Sequence, residues 1–181
     1  MRIIAGTLKG RRLDAPDWEG LRPTSDRLRE TLFNVLTPRI DGARFLDAYA
    51  GTGAVGIEAL SRGAAHVTFV EQDRRAQDLI ESNLARCAVE NRYAIIRAGF
   101  TVAAKRLGNG FDVLFLDPPY GAKELADALE TAAPLVMDGA LLILEHAKRD
   151  AAPGQVSGLE LTRDLVQGDS VLSFYRRSGQ P

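Results

Sequence analysis

Four consecutive residues, Asp117-Pro118-Pro119-Tyr120, directly follow the apolar run Phe111 to Leu116. Each proline restricts its predecessor to extended backbone, so the Asp117 carboxylate and the Pro118 carbonyl are held in place before anything binds. With Asp117 ionised, both groups only accept hydrogen bonds. Their complement is a nitrogen carrying two N–H donors. The exocyclic amine of a nucleic-acid base is such a group, and with its lone pair delocalised into the ring it is a poor nucleophile. Hydrogen bonds to both protons favour pyramidal nitrogen and free the lone pair for in-line attack on a carbon electrophile. Asp117 then stabilises the charge growing on nitrogen and takes the proton, directly or through water, while the Tyr120 ring offers a face on which a flipped-out base stacks. Pro119 completes the rigid segment. The plainer alternative is a turn that ends a strand, but a second motif upstream gives the segment a partner.

That motif is Asp47-Ala48-Tyr49-Ala50-Gly51-Thr52-Gly53-Ala54-Val55-Gly56. Gly51, Gly53 and Gly56 satisfy G-x-G-x-x-G, and Glu71 follows twenty residues after Gly51, where a ribose-binding acid is expected. A dinucleotide dehydrogenase therefore competes with a methyl-donor enzyme. Asp47 separates the two, because a carboxylate four residues before the first glycine repels a pyrophosphate. S-adenosylmethionine has the opposite polarity: its sulfonium and ammonium are cationic, and its single carboxylate suits the amides of a helix N-terminus. Charge sign favours the methyl donor. Glu71 accepts from ribose hydroxyls under either hypothesis.

The elements that must position these residues alternate short apolar runs with helical patterns from residue 43 onward, as in a parallel sheet with crossover helices. Strands are expected at 43–49, 65–71, 93–97, 111–117 and 140–145, and helices at 54–62, 74–87 and 123–133. The run 111–117 is continuously apolar, as in a central strand buried on both faces. The glycine loop and the Asp-Pro-Pro-Tyr segment then share the carboxyl edge of the sheet, where such folds bind ligands. Leu159 to Leu165 and Ser170 to Arg176 form a terminal hairpin around Gln167-Gly168-Asp169, which brings the expected total to seven strands. Ala151-Ala152-Pro153-Gly154 is a surface loop.

About forty residues precede the sheet. Arg2 to Ala5 and Arg11 to Leu13 are expected to pair as a hairpin, and Pro23-Thr24-Ser25-Asp26 starts a helix whose apolar face carries Leu28, Leu32, Val35 and Leu36. Arg22, Arg27 and Arg29 are expected to point away from that face toward a substrate. Arg2, Lys9, Arg11 and Arg12 form a small basic patch with no acid among the first dozen residues. The whole chain of 181 residues has net charge −1, so it is no polycation, and its 45% hydrophobic content suits one core. Cys87, the only cysteine, is expected to be a half-buried helix residue without metal-ligand companions, and no metal site is foreseen. No N-terminal apolar stretch is long enough for a signal or a span, so a cytoplasmic location is expected. His66 and His146 are expected in packing or surface roles, and Trp18 as a local cover over the sheet domain.

Asp47-Ala48-Tyr49-Ala50-Gly51-Thr52-Gly53 together with Asp117-Pro118-Pro119-Tyr120 resembles the amino-directed class of S-adenosylmethionine methyltransferases. Arg2-Ile3-Ile4-Ala5-Gly6, Lys9-Gly10-Arg11-Arg12-Leu13 and Arg22-Pro23-Thr24-Ser25-Asp26-Arg27-Leu28-Arg29-Glu30-Thr31-Leu32-Phe33-Asn34 narrow the resemblance, over nearly the whole chain, to the bacterial RsmD family. That resemblance implies a Rossmann-like class I α/β methyltransferase fold: a seven-stranded, mostly parallel sheet with its last strand antiparallel, and a small N-terminal extension (1–40) engaging RNA ahead of the methyltransferase domain (41–181). It implies transfer of a methyl group to N2 of a guanine in 16S ribosomal RNA, within the small subunit or its assembly intermediate, by a monomer that releases S-adenosylhomocysteine. Asp47, Tyr49, Gly51, Thr52, Gly53, Gly56, Glu71, Gln72, Gly99 and Phe100 are the expected methyl-donor contacts. Arg2, Lys9, Arg11, Arg12, Arg22, Arg27 and Arg29 are the expected RNA contacts. The family usually has an acidic residue toward the adenine after the third strand, whereas this chain has Arg97-Ala98-Gly99-Phe100, so no residue here inherits that role. DNA adenine methylation shares both motifs, but forty extra residues leave little room for a DNA-recognition domain. A protein-amide methyltransferase more often begins its motif with Asn, and a non-catalytic nucleotide-binding module has no use for Asp117.

Overall fold

The computed structural model describes residues 1–21 and 23–179. Ser25 caps the first helix, α1 (Asp26–Ile40), by accepting from the Leu28 N–H, which satisfies one of the free amides of its first turn. The chain then alternates: β1 (Arg44–Asp47), α2 (Ala54–Ser61), β2 (His66–Glu71), α3 (Arg74–Arg86), β3 (Tyr93–Arg97), α4 (Phe100–Ala104), β4 (Phe111–Leu116), α5 (Ala122–Ala132), a 3₁₀ turn, and β5 (Val136–Ala147). It ends in β6 (Gln155–Val156), β7 (Leu159–Gln167) and β8 (Ser170–Arg177). Among the described residues, eight strands form one sheet in the order β3-β2-β1-β4-β5-β8-β7-β6.

The first five strands are parallel to one another, and β8 runs antiparallel to both β5 and β7. The expected α/β class, with its inverted last strand, is therefore present. The sheet has eight strands rather than seven because β6, only two residues long, adds an antiparallel edge beside β7. Two residues are too few for alternation to be recognised in sequence. The short helix α4 is likewise absent from the expected set, and β5 begins earlier than expected, at Val136.

Alternation along the strands splits the core into two layers. Phe45, Val67, Phe69, Val113, Phe115, Leu141 and Ile143 face α1, α2 and α3. Leu46, Val70, Leu114, Leu116, Leu142 and Leu144 face α4 and α5, where Phe100, Ala103, Leu125, Ala128 and Leu129 cover them. The N-terminal forty residues have no separate core: Ile3, Leu13, Leu28, Leu32, Phe33, Leu36 and Ile40 belong to the first layer. The expected hairpin there is a single antiparallel bridge, Arg2 to Arg12, supported by hydrogen bonds from Ile3 N to Arg11 O and from Leu13 N to Met1 O.

Glu58 on α2 fastens this segment. It is fully buried, accepts from the Ile4 and Ala5 amides at 2.8 and 3.0 Å, and pairs with Arg62 at 2.8 Å. Ser61 adds bonds to Ala5 O and from Leu8 N. The same knot corrects the expectation for Arg29. Its side chain is fully buried, with Nη2 donating to Arg2 O and Asp26, and Nη1 lying 3.6 Å from Glu58. A guanidinium so placed compensates a buried carboxylate and is not available to RNA.

Candidate active site

Four adjacent parallel strands end in the same way. In β1, β2, β4 and β5 the inward series Phe45, then Val67 and Phe69, then Val113 and Phe115, then Leu141 and Ile143 runs into Asp47, Glu71, Asp117 and Glu145. Because side chains alternate with period two, all four acids lie on one face at the carboxyl rim. Register sets their heights. Asp47 pairs with Phe115 and Phe69, so Asp117 and Glu71 stand two residues, about 6.6 Å, further out. Leu116 pairs with Leu144, which leaves Asp117 and Glu145 level and roughly 4.8 Å apart across the strand direction. Asp47 is thus the floor of the site and is 1% exposed.

A cleft of about 320 Å³ opens over this rim, lined by Asp47, Tyr49, Gly51, Thr52, Glu71, Gln72, Gly99, Phe100 and the whole Asp117-Pro118-Pro119-Tyr120 segment. Its size lies at the lower end for small-molecule sites. The two sequence motifs therefore meet in one crevice, as their common strand edge required. Tyr49 and Phe100 pack edge to face, with ring centroids 5.4 Å apart, and give one wall an aromatic surface. Burial pushes the Tyr49 hydroxyl up to about 12, so it stays a neutral donor. Glu71 receives the Gly51 and Asp73 amides on its two oxygens at 2.9 and 2.8 Å, and its remaining lone pairs are free to meet hydroxyl donors.

Gly53 and Gly56, expected as ligand contacts, do not line the cleft. A Cβ on Gly56 would lie 2.3 Å from the Phe69 ring, and one on Gly53 would meet Ile80 at 3.2 Å. Gly56 is there for close packing of α2 on β2, and its N–H holds Asp47 Oδ2 at 3.0 Å. Gly51, at φ +55 with Leu21 close by, is the glycine of this motif that lines the cleft.

Burial dominates the electrostatics of the two deepest acids, and like charge adds to it. Burial raises the Asp47 carboxyl to about 7, helped by Glu71 and Glu145 and opposed by the Gly56 N–H. Asp117 is pushed well above the usual carboxylate range by burial, then by Glu145 and Asp47. Buried acids crowded in this way are costly unless a cation or several N–H donors join them.

Glu145 is not among the expected site residues. It is 9% exposed and accepts a hydrogen bond from Thr24 Oγ1 at 3.3 Å. Thr24, Pro23, Leu21 and Gly20 supply part of the cleft wall, so the N-terminal extension contributes to the site itself. The signal in sequence was the repeated phase of apolar residues ending in an acid, Leu141-x-Ile143-x-Glu145 matching Val113-x-Phe115-x-Asp117. Beyond Glu145, Lys148 and Arg149 line a neighbouring depression with Tyr120, and the Arg149 guanidinium sits 5.7 Å from the Tyr120 ring centroid.

Of the cations expected at RNA, Arg2, Lys9 and Arg27 share a surface depression together with Asp26 and Glu30. Arg11 and Arg12 are exposed beside it in the chain, Arg12 opposite Arg2. Arg22 lies outside the described residues. Trp18 is half-buried beneath Arg75, 5.0 Å from its ring centroid. His146 is held by Ser173 at 2.8 Å and by the Ala147 carbonyl, an ordinary packing role. Cys87 is fully buried at the end of α3 rather than half-buried. Among the described residues, no cluster of three or more His, Cys, Asp or Glu could hold a metal ion, and no helix is long and apolar enough to cross a membrane.

Residues 1–176 match the family described as Conserved hypothetical protein 95. Ribosomal RNA small subunit methyltransferase D of Escherichia coli K12 is 38% identical over 183 residues, which cover 99% of this chain and 91% of that protein. The chain belongs to the RsmD family. Solved structures agree. The one described as "Putative methyltransferase yhhF from Escherichia coli" superposes with a TM-score of 0.87 at 34% identity over 99% of both chains. A hypothetical protein of Thermus thermophilus gives 0.80 at 34% identity, covering 97% of this chain and 99% of that one. The Escherichia coli relative is thus aligned across the N-terminal segment as well as the sheet.

Proposed function

We propose that this chain transfers a methyl group from S-adenosylmethionine to the N2 amine of a guanine in 16S ribosomal RNA, in the small subunit or an intermediate of its assembly. One observation carries the chemistry: the glycine loop and the Asp-Pro-Pro-Tyr segment line a single cleft floored by a buried acid. Family membership supplies the RNA.

The residues fit the donor. A buried Asp47 whose ionisation is disfavoured to about pH 7 gains most from a cationic ligand, since an adjacent positive charge offsets its desolvation and its repulsion from Asp117 and Glu145. Glu71 is placed for the ribose hydroxyls. Tyr49 and Phe100 give a flat heterocycle an apolar wall, and the exposed Gln72 and the Gly99 backbone border it. When bound, the donor supplies an electrophilic methyl on a sulfonium.

The chain's own groups do the rest. Asp117 and the Pro118 carbonyl accept both protons of the target amine, fix its lone pair toward the cleft, and stabilise the charge that develops on nitrogen. Asp117, with its raised affinity for a proton, is suited to hold the one the amine releases. Tyr120, 55% exposed, offers its ring to the base. The exposed cations Arg2, Lys9, Arg11, Arg12 and Arg27 engage phosphates, and residues 1–40 act as the RNA-engaging extension of the methyltransferase domain.

The test is tritium transfer from labelled S-adenosylmethionine to naked 16S RNA, protein-depleted small subunits and mature subunits, with mass-spectrometric identification of the methylated base. N2-methylguanine is expected. Asp117→Ala should abolish transfer while leaving donor binding by calorimetry intact. Transfer at the wild-type rate by Asp117→Ala, or N6-methyladenine as the product, overturns the assignment.

A further inference from the structure

The cleft suits a base and a methyl donor but not the phosphates that carry the base. Among the described residues, Asp47, Glu71 and Asp117 line it and no Lys or Arg does, so a phosphate drawn in beside the base would meet only like charge. A flipped nucleotide nevertheless brings its own backbone to the mouth, close to the ring on which its base stacks. That ring belongs to Tyr120, which also lines a second depression with Ala147, Lys148, Arg149, Asp169 and Ser170. The sheet fixes where the two cations of this depression sit. Ala147, the last residue of β5, pairs with Ser170 of β8, and the Lys148 N–H donates to the Asp169 carbonyl at 2.8 Å. Both cationic side chains are exposed, and neither forms an ion pair or a side-chain hydrogen bond among the described residues. Asp169 is the one acid lining the depression, and the two cations outweigh it.

We propose that Lys148 and Arg149 bind a phosphate flanking the target nucleotide, and that Arg149 holds Tyr120 and this phosphate at once. This rests on the RNA substrate proposed for the same site. The Arg149 guanidinium lies over the Tyr120 ring, 5.7 Å from its centroid, within cation–π range. A guanidinium over one face leaves the other face to the base, while its fork of N–H donors takes a phosphate bidentately. Lys148 adds a point charge on a flexible stem. The depression is also tied to the basic surface of the N-terminal segment. Thr31 of α1 donates to Gln167, at the end of β7, at 3.4 Å. Arg27, one helical turn before Thr31, lines the depression that holds Arg2 and Lys9. An RNA strand leaving Tyr120 over Lys148 and Arg149 thus crosses the β7–β8 turn toward those cations, with its phosphates met by positive charge at both ends.

The test uses a 16S-derived RNA in which the guanine that the wild type methylates has been located by mass spectrometry. Methylphosphonate, which removes the charge of one phosphate, is placed on the 5′ side of that nucleotide, on its 3′ side, or at a distant position. Binding of each RNA is measured, without methyl donor, to the wild type and to the double variant Lys148→Ala/Arg149→Ala. The wild type should lose roughly tenfold in affinity at one of the two flanking positions. The variant should bind the unmodified RNA roughly tenfold more weakly and lose nothing further at that position, while responding to the distant one as the wild type does. Its dependence of log affinity on log salt should flatten by about 0.7, the value for one phosphate of a single strand. Its calorimetric affinity for S-adenosylmethionine should match the wild type, because neither residue lines the cleft. Equal losses in the two proteins at both flanking positions overturn the contact, as does a variant that binds the unmodified RNA as tightly as the wild type. If the wild type methylates no guanine at all, it is the underlying functional assignment that fails.

Discussion

Replacing Asp47 with Asn should make the free protein more stable at alkaline pH and a poorer binder of its methyl donor. Asp47 is 1% exposed, and its carboxyl is raised from 3.8 to about 7, mainly by burial. A group whose folded pKa is raised favours the folded state fully below its unfolded value and loses that contribution as pH climbs through the folded one. For Asp47 the window runs from 3.8 to about 7, and the interval corresponds to about 4 kcal/mol. At about pH 5 roughly a third of that cost is already present, whereas at about pH 8.5 all of it is. Asn keeps an oxygen for the Gly56 N–H, now 3.0 Å away, but never ionises. The stability gap between Asp47→Asn and wild type should therefore widen by roughly 3 kcal/mol from about pH 5 to about pH 8.5, or ~6–12 °C in Tm for a domain of this size.

Thermal melts of both proteins without ligand, at the two pH values, measure that gap. Calorimetry supplies the functional half. A hydrogen bond to a charged group contributes about 1.5–3 kcal/mol, so the variant should bind S-adenosylmethionine roughly ten- to hundredfold more weakly at alkaline pH. Wild-type affinity should rise as pH increases through about 7, with proton release on binding. A pH-independent gap in Tm, or equal donor affinity in the two proteins, would refute the account of Asp47 as a destabilising acid retained for a cation.

Gly56→Ala should fail through packing rather than contact. Its new methyl would sit 2.3 Å from the Phe69 ring, overpacking that typically costs about 1–3 kcal/mol, and the shift of α2 should loosen the Gly56 hold on Asp47; chemical denaturation and donor titration together would show both losses. Removing the charges of Arg2, Lys9, Arg11 and Arg12 should weaken RNA binding at every sequence alike. It should also flatten the dependence of log affinity on log salt by up to ~3 for a single-stranded target. An unchanged salt slope would place the RNA on another surface. Arg29→Gln, by contrast, should leave the salt slope intact and lower stability, because its guanidinium is buried against Glu58.

Much of this was legible in the chain because it depends on local order. A motif directly after an apolar strand must lie at that strand's carboxyl end, so the glycine loop and Asp117-Pro118-Pro119-Tyr120 were bound to share an edge once the sheet was known to be parallel. The sign of Asp47 is likewise legible without coordinates, and with it the expectation of a cationic ligand. Tertiary structure decided what depends on register and on long-range packing. Arg29 reads as a surface cation on a polar helix face, yet the N-terminal segment folds over it and buries it against Glu58. Gly53 and Gly56 read as ligand glycines, but their missing side chains make room for Ile80 and Phe69. Glu145 stands 28 residues beyond Asp117 in the chain; the Leu116–Leu144 pairing alone brings it level. Periodicity sets which face a side chain takes, and pairing between strands sets which side chains meet.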